Sequence, residues 1–590
     1  MRSPALSILA VFVCVVLLSP VEAMAEASSH KHYEKPEGYD RPSQGGAVAP
    51  RLQNLGTHTF KVTTKSGQAQ LFINQGVILA YGFNHAEAAR AFAEAARLDP
   101  ECAMAYWGHA LVLGPNINAP MNPEDEPKAH ALAMKAKALK ANATPRERAY
   151  IEAIAARYTG RAEDRKNADR AFADAMRKVV DSYPDDLDAA TIYAEALMDL
   201  RPWNYWTRDG KPYPETQVIA PMLQSVIARN PDHPGAVHYW IHLWEPTDTP
   251  ERAEAEADRL LTLVPGAGHL VHMSGHIYAR VGRYADVVKA NKLAIASDED
   301  YITQCRAQGI YPLAYYPHNL HFLWMGATFA GQGRLAMDAA NKTAGVIPPD
   351  AVKEMPFLQG FLAVPYWTKV RFGLWDEILA DKAPVRDTLY LRGVWHYARA
   401  SAFIGKQRLE DAERELMRLQ NIADNPALAK EPVSFSANTA SMILRIAKDT
   451  VAGEIAARKG DIDRALLHLE RAARFQDALI YTEPPDWHAP VRLTLGAVLL
   501  EAGRPAEAEV VYWEDLRQNP ENGWSLFGLA RSLRAQGRSD EAAEVEKRFR
   551  SAWADADVEL KSSRSVAGRS SGSAILESRS PGDVKMVASP

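Results

Sequence analysis

The sequence predicts an all-α protein, a right-handed α-solenoid of about twelve helical hairpins. Three observations predict it. A helical pattern of apolar residues begins near Gln68 and persists to about Ala554, with strand-like alternation almost absent. A frame of small residues recurs along it: residues 69–100 carry Gly76, Leu79, Ala88, Phe92, Ala95 and Pro100, and residues 489–520 carry Gly496, Leu499, Ala508, Tyr512 and Pro520. Finally, His238 and His272, like His242 and His276, are 34 residues apart, a period typical of stacked two-helix units.

The frame has a physical cause. Small residues let two helices cross closely, the aromatic fills the gap beside them, and the proline stops the second helix. Residues 268–299 carry Gly275, Tyr278 and Gly282, and residues 234–265 carry Ala253 and Pro265 in the same frame. Looser copies fall near 102–140, 145–184, 187–230, 314–348, 357–385, 387–424, 444–482 and 522–553. Two insertions break the register. Gly114 to Pro127 lengthens one turn, and Asp298 to Pro317 lengthens another and carries Tyr301, Cys305, Tyr311, Tyr315 and Tyr316. Long connections in a compact array are often functional.

The ends read differently. Residues 1–25 form a secretory signal peptide: Arg2 is the positive region, Leu6 to Leu18 the apolar core, and Ala23-Met24-Ala25 a small-x-small cleavage site. The expected location is periplasmic or secreted, with no membrane span after cleavage. Residues 26–66, rich in Gly, Pro, Ser and His, read as a flexible arm, residues 67–555 as the solenoid, and residues 556–590 as a disordered tail with no apolar period. With Cys14 in the signal, Cys102 and Cys305 remain, several repeats apart, and no bridge is expected.

Composition is globular, 47% hydrophobic and 24% charged. A net charge of −5 without a polybasic patch argues against nucleic acid and against an anionic membrane. No Gly-rich phosphate loop, HExxH or CxxC motif occurs. The single GxSxG pattern, residues 568–572, lies in the tail without the strand and helix that a nucleophile elbow needs.

Eight of the seventeen histidines fall between His233 and His321. His269, His272 and His276 lie on one helical face within an arc of about 60°, and His238 and His242 share another at i and i+4. His318 and His321 open the next hairpin after Pro317. Imidazole is the commonest protein ligand for zinc, copper, nickel and iron. The expected ligands are His238, His242, His269, His272, His276, His318 and His321, enough for one closed site or two open ones. Scarce cysteine argues against a structural zinc and favours copper, ahead of a catalytic zinc or non-haem iron. Glu245 and Glu195 are the candidate bases or outer carboxylates. His233 reads as a turn former, and His85, His130, His468 and His488 as structural. The aromatic run at 201–206 either walls a pocket or fills a seam.

The hairpin frame resembles the tetratricopeptide repeat superfamily over nearly the whole mature length. Residues 102–108, 114–121, 194–206 and 268–284 also look like a subgroup of exported bacterial repeat proteins, a likeness that implies architecture and no chemistry. In the superfamily the first helix of each hairpin lines a concave groove through positions 2, 5, 9, 12 and 13. That resemblance puts His269, His272 and His276 at 2, 5 and 9, and His238 and His242 at 5 and 9. It also implies the alternative to a metal site, a groove that binds a protein or peptide partner.

Overall fold

The structure, a computed structural model, describes residues 46–305, 310–348, 350–384 and 388–564. Among them there is no β-strand, only three isolated bridges. Twelve helical hairpins follow one another, from Gly67–Tyr81 with His85–Leu98 to Gly523–Ala535 with Ser539–Ala552. Five helices matter for the site: α1 (Gly67–Tyr81), α2 (Pro234–Trp244), α3 (Gly268–Arg280), α4 (Tyr284–Cys305) and α5 (Tyr316–Phe329). Helices α2, α3 and α5 are the first helices of three consecutive hairpins. No helix among the described residues is long and apolar enough to cross a membrane.

The small-residue frame works as its chemistry requires. A Cβ on Gly76 would lie 2.7 Å from the Phe92 ring, and one on Gly108, in the next hairpin, 2.2 Å from the same ring. Tyr512 sits likewise between Gly496 and Gly528. Each aromatic therefore bolts its own hairpin to the following one, and both glycines must stay bare for the ring to fit.

Three expectations need correction. The arm is not flexible throughout. Residues 46–66 run extended along the first hairpins, with Phe60 buried and stacked on Trp107. Glu147 accepts the Thr63 backbone N–H (2.5 Å) and hydroxyl (2.7 Å), and Asp99 accepts those of Lys65 and Thr64. The tail is not loose from residue 556. Leu560 is buried, Ser563 Oγ pairs with Tyr512 Oη at 2.7 Å, and Asp557 caps the helix at Gly333. The insertion after Asp298 is mostly helix, since α4 continues to Cys305 and a π-helical turn, Tyr311–Tyr315, runs into α5. Cys102 and Cys305 are both buried and free. Residues 1–25, where a signal peptide is expected, residues 26–45 and residues 565–590 lie outside the described residues.

Candidate metal centre

The 34-residue period places a chelating i, i+4 histidine pair on α2 and the same pair on α3. Each pair is completed by one imidazole from the next first helix. His238 and His242 of α2 meet His269 of α3, and His272 and His276 of α3 meet His318 of α5. In each triad the candidate ligand atoms all lie within 4.8 Å of one another. The triads adjoin: the His242 and His276 ring centroids are 6.0 Å apart, and those of His269 and His272 5.8 Å. The sequence pointed to all seven histidines, for one closed site or two open ones. The structure sorts six of them into two groups and leaves His321 in neither.

Hydrogen bonds set the tautomers. His238 Nδ1 donates to the Tyr81 carbonyl at 2.6 Å, an atom that can only accept. His242 Nδ1 donates to Glu245 Oε1 at 2.7 Å. The other Glu245 oxygen lies 2.5 Å from His276 Nδ1, so one carboxylate spans both triads. His272 Nδ1 donates to Asn291 Oδ1 at 2.8 Å, and the Asn291 amide is held in turn by the Val287 carbonyl. Three Nδ1 atoms, those of His238, His242 and His272, are thus occupied from outside, which turns their Nε2 lone pairs inward.

In the first triad the inward nitrogens lack protein partners. His238 Nε2, His242 Nε2 and both ring nitrogens of His269 are buried without a hydrogen bond. Buried polar atoms left in this way call for an explanation such as an ion. In the second triad His272 Nε2 and His276 Nε2 stand 2.9 Å apart. His276 Nδ1 lies within ion-pair distance of Glu245 and Glu483 without a hydrogen bond, so the two facing Nε2 atoms share a proton when His276 is charged and offer a chelating pair when it is not. The donor set therefore fits a transition metal at each triad.

Electrostatics keep most of the imidazoles neutral. Burial, reinforced by neighbouring imidazoles, holds His238, His269, His272 and His318 well below the ordinary histidine value. Burial lowers His242 as well, against the pull of Glu245. His276 is the exception. Burial opposes its charge, but Glu245 and Glu483 raise it to about 10. A proton can thus occupy the space between His272 and His276, and a metal bound there would displace it.

The surroundings are aromatic. Phe83, in the turn after α1 with φ of 56°, packs on His238, His242 and His269. Trp203, from the aromatic run, stands edge-on to His242 at 5.1 Å, its indole N–H held by Asn118. Tyr315 stands edge-on to His269 at 4.9 Å. The insertion after Asp298 therefore reaches the first triad through Tyr315, and the Gly114 to Pro127 insertion reaches it indirectly, through Asn118 and Trp203. The five histidines on α2 and α3 are 0–4% exposed, so this face is a covered interior and not an open groove.

Other sequence-derived candidates fall elsewhere. Glu195 stands apart from the imidazoles, beside Tyr239, and burial pushes its carboxyl up to about 7 against the nearby Arg157. His233 Nδ1 accepts the Ala236 N–H and caps α2, as a turn former should. A third cluster, His58, Asp188 and His233, is satisfied internally: Asp188 accepts from Tyr81 Oη at 2.7 Å and lies 3.0 Å from His58 Nε2. Because His233 Nδ1 is an acceptor, its Nε2 carries the proton and is not free to ligate.

Sequence reasoning missed Asn291, Glu483 and the Tyr81 carbonyl. Asn291 was findable. It lies sixteen residues after Gly275, the same offset as Phe92 from Gly76, so a polar residue fills the aromatic slot. A Cβ on Gly275 would lie 2.8 Å from its amide nitrogen. Glu483, 3.2 Å from His276 Nδ1, arrives on a distant connection with no local signal.

No family model matches the sequence, and no curated protein matches it. The helical hairpins with their glycine–aromatic–glycine bolts make an all-α repeat fold. Among solved structures, the human IFIT1 dimer with PPP-AAAA shares 12% identity at a TM-score of 0.30, over 83% of this chain and 92% of that one. Yeast Tom70 shares 11% at a TM-score of 0.30, over 82% and 97%. The APC/C hetero-tetramer Cut9-Hcn1 shares 11% at 0.27, over 82% and 76%. These likenesses are too distant to carry any argument about chemistry.

Proposed function

We propose that this is an exported metalloprotein whose two histidine triads hold a pair of transition-metal ions, copper in preference to zinc or iron, for redox catalysis. The observation that carries the reading is the convergence of six imidazoles in two adjoining triads, the inward nitrogens of the first being buried without a protein partner. All six donors are imidazoles and no thiolate is near, a set that suits copper and is unusual for structural zinc. Bound copper would supply one-electron steps at two neighbouring positions.

The protein's own residues orient the donors and keep them dry. Tyr81, Glu245 and Asn291 fix ring orientation from the Nδ1 side. Phe83 covers the first triad. A hydrolytic site would need a free base facing the metal. Glu245 is committed to two imidazoles and Glu195 lies apart, which favours redox over hydrolysis. A peptide-binding groove would need these side chains accessible, and their burial disfavours it. The export assignment rests on the leader-like N-terminus alone.

Elemental analysis of tag-free protein loaded with Cu(II) tests the reading. The expected result is two ions per chain, one of them lost in His242→Ala and one in His272→Ala, with both kept in Glu195→Gln. Full metal content in both histidine variants, or none in the wild type, would overturn it.

A further inference from the structure

His321 is the histidine that the triads leave over, and its surroundings give it a separate role. It lies one turn beyond His318 on α5, and both rings line a cavity of about 40 Å³. On the same measure a water needs roughly 10–15 Å³, so the space holds a few heavy atoms and excludes a benzene-sized ring. The cavity abuts the second triad twice. His318 is a member of that triad, and Glu483, another lining residue, reaches His276.

The walls are fixed. The His321 ring is stacked on Trp324 at 5.1 Å, with an interplanar angle of 17°, and meets Phe361 edge-on at 5.6 Å. No hydrogen bond to its ring nitrogens occurs among the described residues, although burial keeps it neutral, at about 3. A neutral imidazole offers one donor and one acceptor. Asp486 closes the polar side and is already held by Ser436 Oγ at 2.7 Å and Asn438 Nδ2 at 2.8 Å. A second cavity, of about 60 Å³, shares His488 as a wall and extends to the exposed Arg458.

We propose that this cavity is the ligand chamber of the two-metal centre, that it takes a small species of two or three heavy atoms such as peroxide or azide, and that His321 binds that species by a hydrogen bond instead of ligating metal. The inference rests on the two-metal reading. It explains why His321 shares the helix and the spacing of the ligands yet joins neither triad. The narrow chamber sets the substrate class by size, and its aromatic walls limit access to the second triad.

The full-length chain loaded with Cu(II) and titrated with sodium azide tests this, with the visible absorption and electron paramagnetic resonance spectra as readouts and metal content measured in parallel. The wild type should bind azide and show no spectral response to benzoate, which is too large. His321→Ala should keep two metals per chain and bind azide more weakly by on the order of tenfold, the loss expected for one hydrogen bond. His321→Gln, which restores a donor, should recover part of that loss. Unchanged azide affinity in a fully metallated His321→Ala, or benzoate binding as tightly as azide, would overturn the chamber and leave the two-metal centre standing. A wild-type chain that takes up no metal would overturn both.

Discussion

Asn291 shows how one residue turns a structural repeat into a site. At the same place in other hairpins Phe92 and Tyr512 bolt helices together, whereas Asn291 spends its amide on the Val287 carbonyl and its oxygen on His272. Asn291→Leu keeps the bulk and leaves His272 Nδ1 buried without an acceptor. The expected outcome is a loss of copper affinity of about 10–100-fold with all first ligands present, measured by competition with a chromophoric chelator. At the repeat proper, Gly76→Ala sets a methyl against the Phe92 ring. That overpacking should cost about 1–3 kcal/mol in urea denaturation.

The histidines themselves were legible because the 34-residue period and the i, i+4 pairs are sequence properties. Their division into two triads was not. It depends on which rings share a helix crossing, and His269, one turn before His272, faces back to α2 and not onward to α5. Glu483 was illegible because its place depends on how a distant connection folds back. Asn291 was legible in principle, but the frame was read for aromatics, and a polar residue in an aromatic slot went unremarked.

Among the elements, the terminal segments depart furthest from the sequence reading. Composition marks 46–66 and 556–564 as irregular, and they are, but irregular backbone also docks when side chains find partners. Phe60 and Leu560 supply apolar anchors, while Glu147, Asp99 and Asp557 accept the backbone or hydroxyl groups that water would otherwise serve. A deletion of residues 556–590 removes the Ser563–Tyr512 pair, the Asp557 cap and the Arg564–Glu501 ion pair. Differential scanning fluorimetry should show a lower melting temperature for that truncation and little change when only residues 565–590 are removed. Equal melting temperatures for the two would show that residues 556–564 add nothing. The twelve hairpins, by contrast, were readable because each carries its own spacing of small residues.

The whole molecule pays for its centre at low pH. His238, His269, His272 and His318 are held well below the ordinary value and His321 at about 3. Unfolded, each returns to about 6.5. The unfolded chain therefore binds more protons across the interval between, and stability rises with pH there. Their contribution is full above about pH 6.5 and is lost as pH falls toward the folded values. His276 runs the other way. Raised to about 10, it contributes fully below about pH 6.5 and loses that contribution as pH climbs through 10. Calorimetry of the metal-free protein should give a melting temperature that peaks near pH 6.5 and falls on both sides, with a shallower acid limb in His321→Asn.

The most direct measurement of the central claim is anomalous X-ray scattering at the copper edge from crystals of the copper-loaded protein. Two anomalous peaks are predicted, one among His238, His242 and His269 and one among His272, His276 and His318, with His321 bonded to neither. A single peak, a peak ligated by His321, or no peak between α2, α3 and α5 would contradict the account.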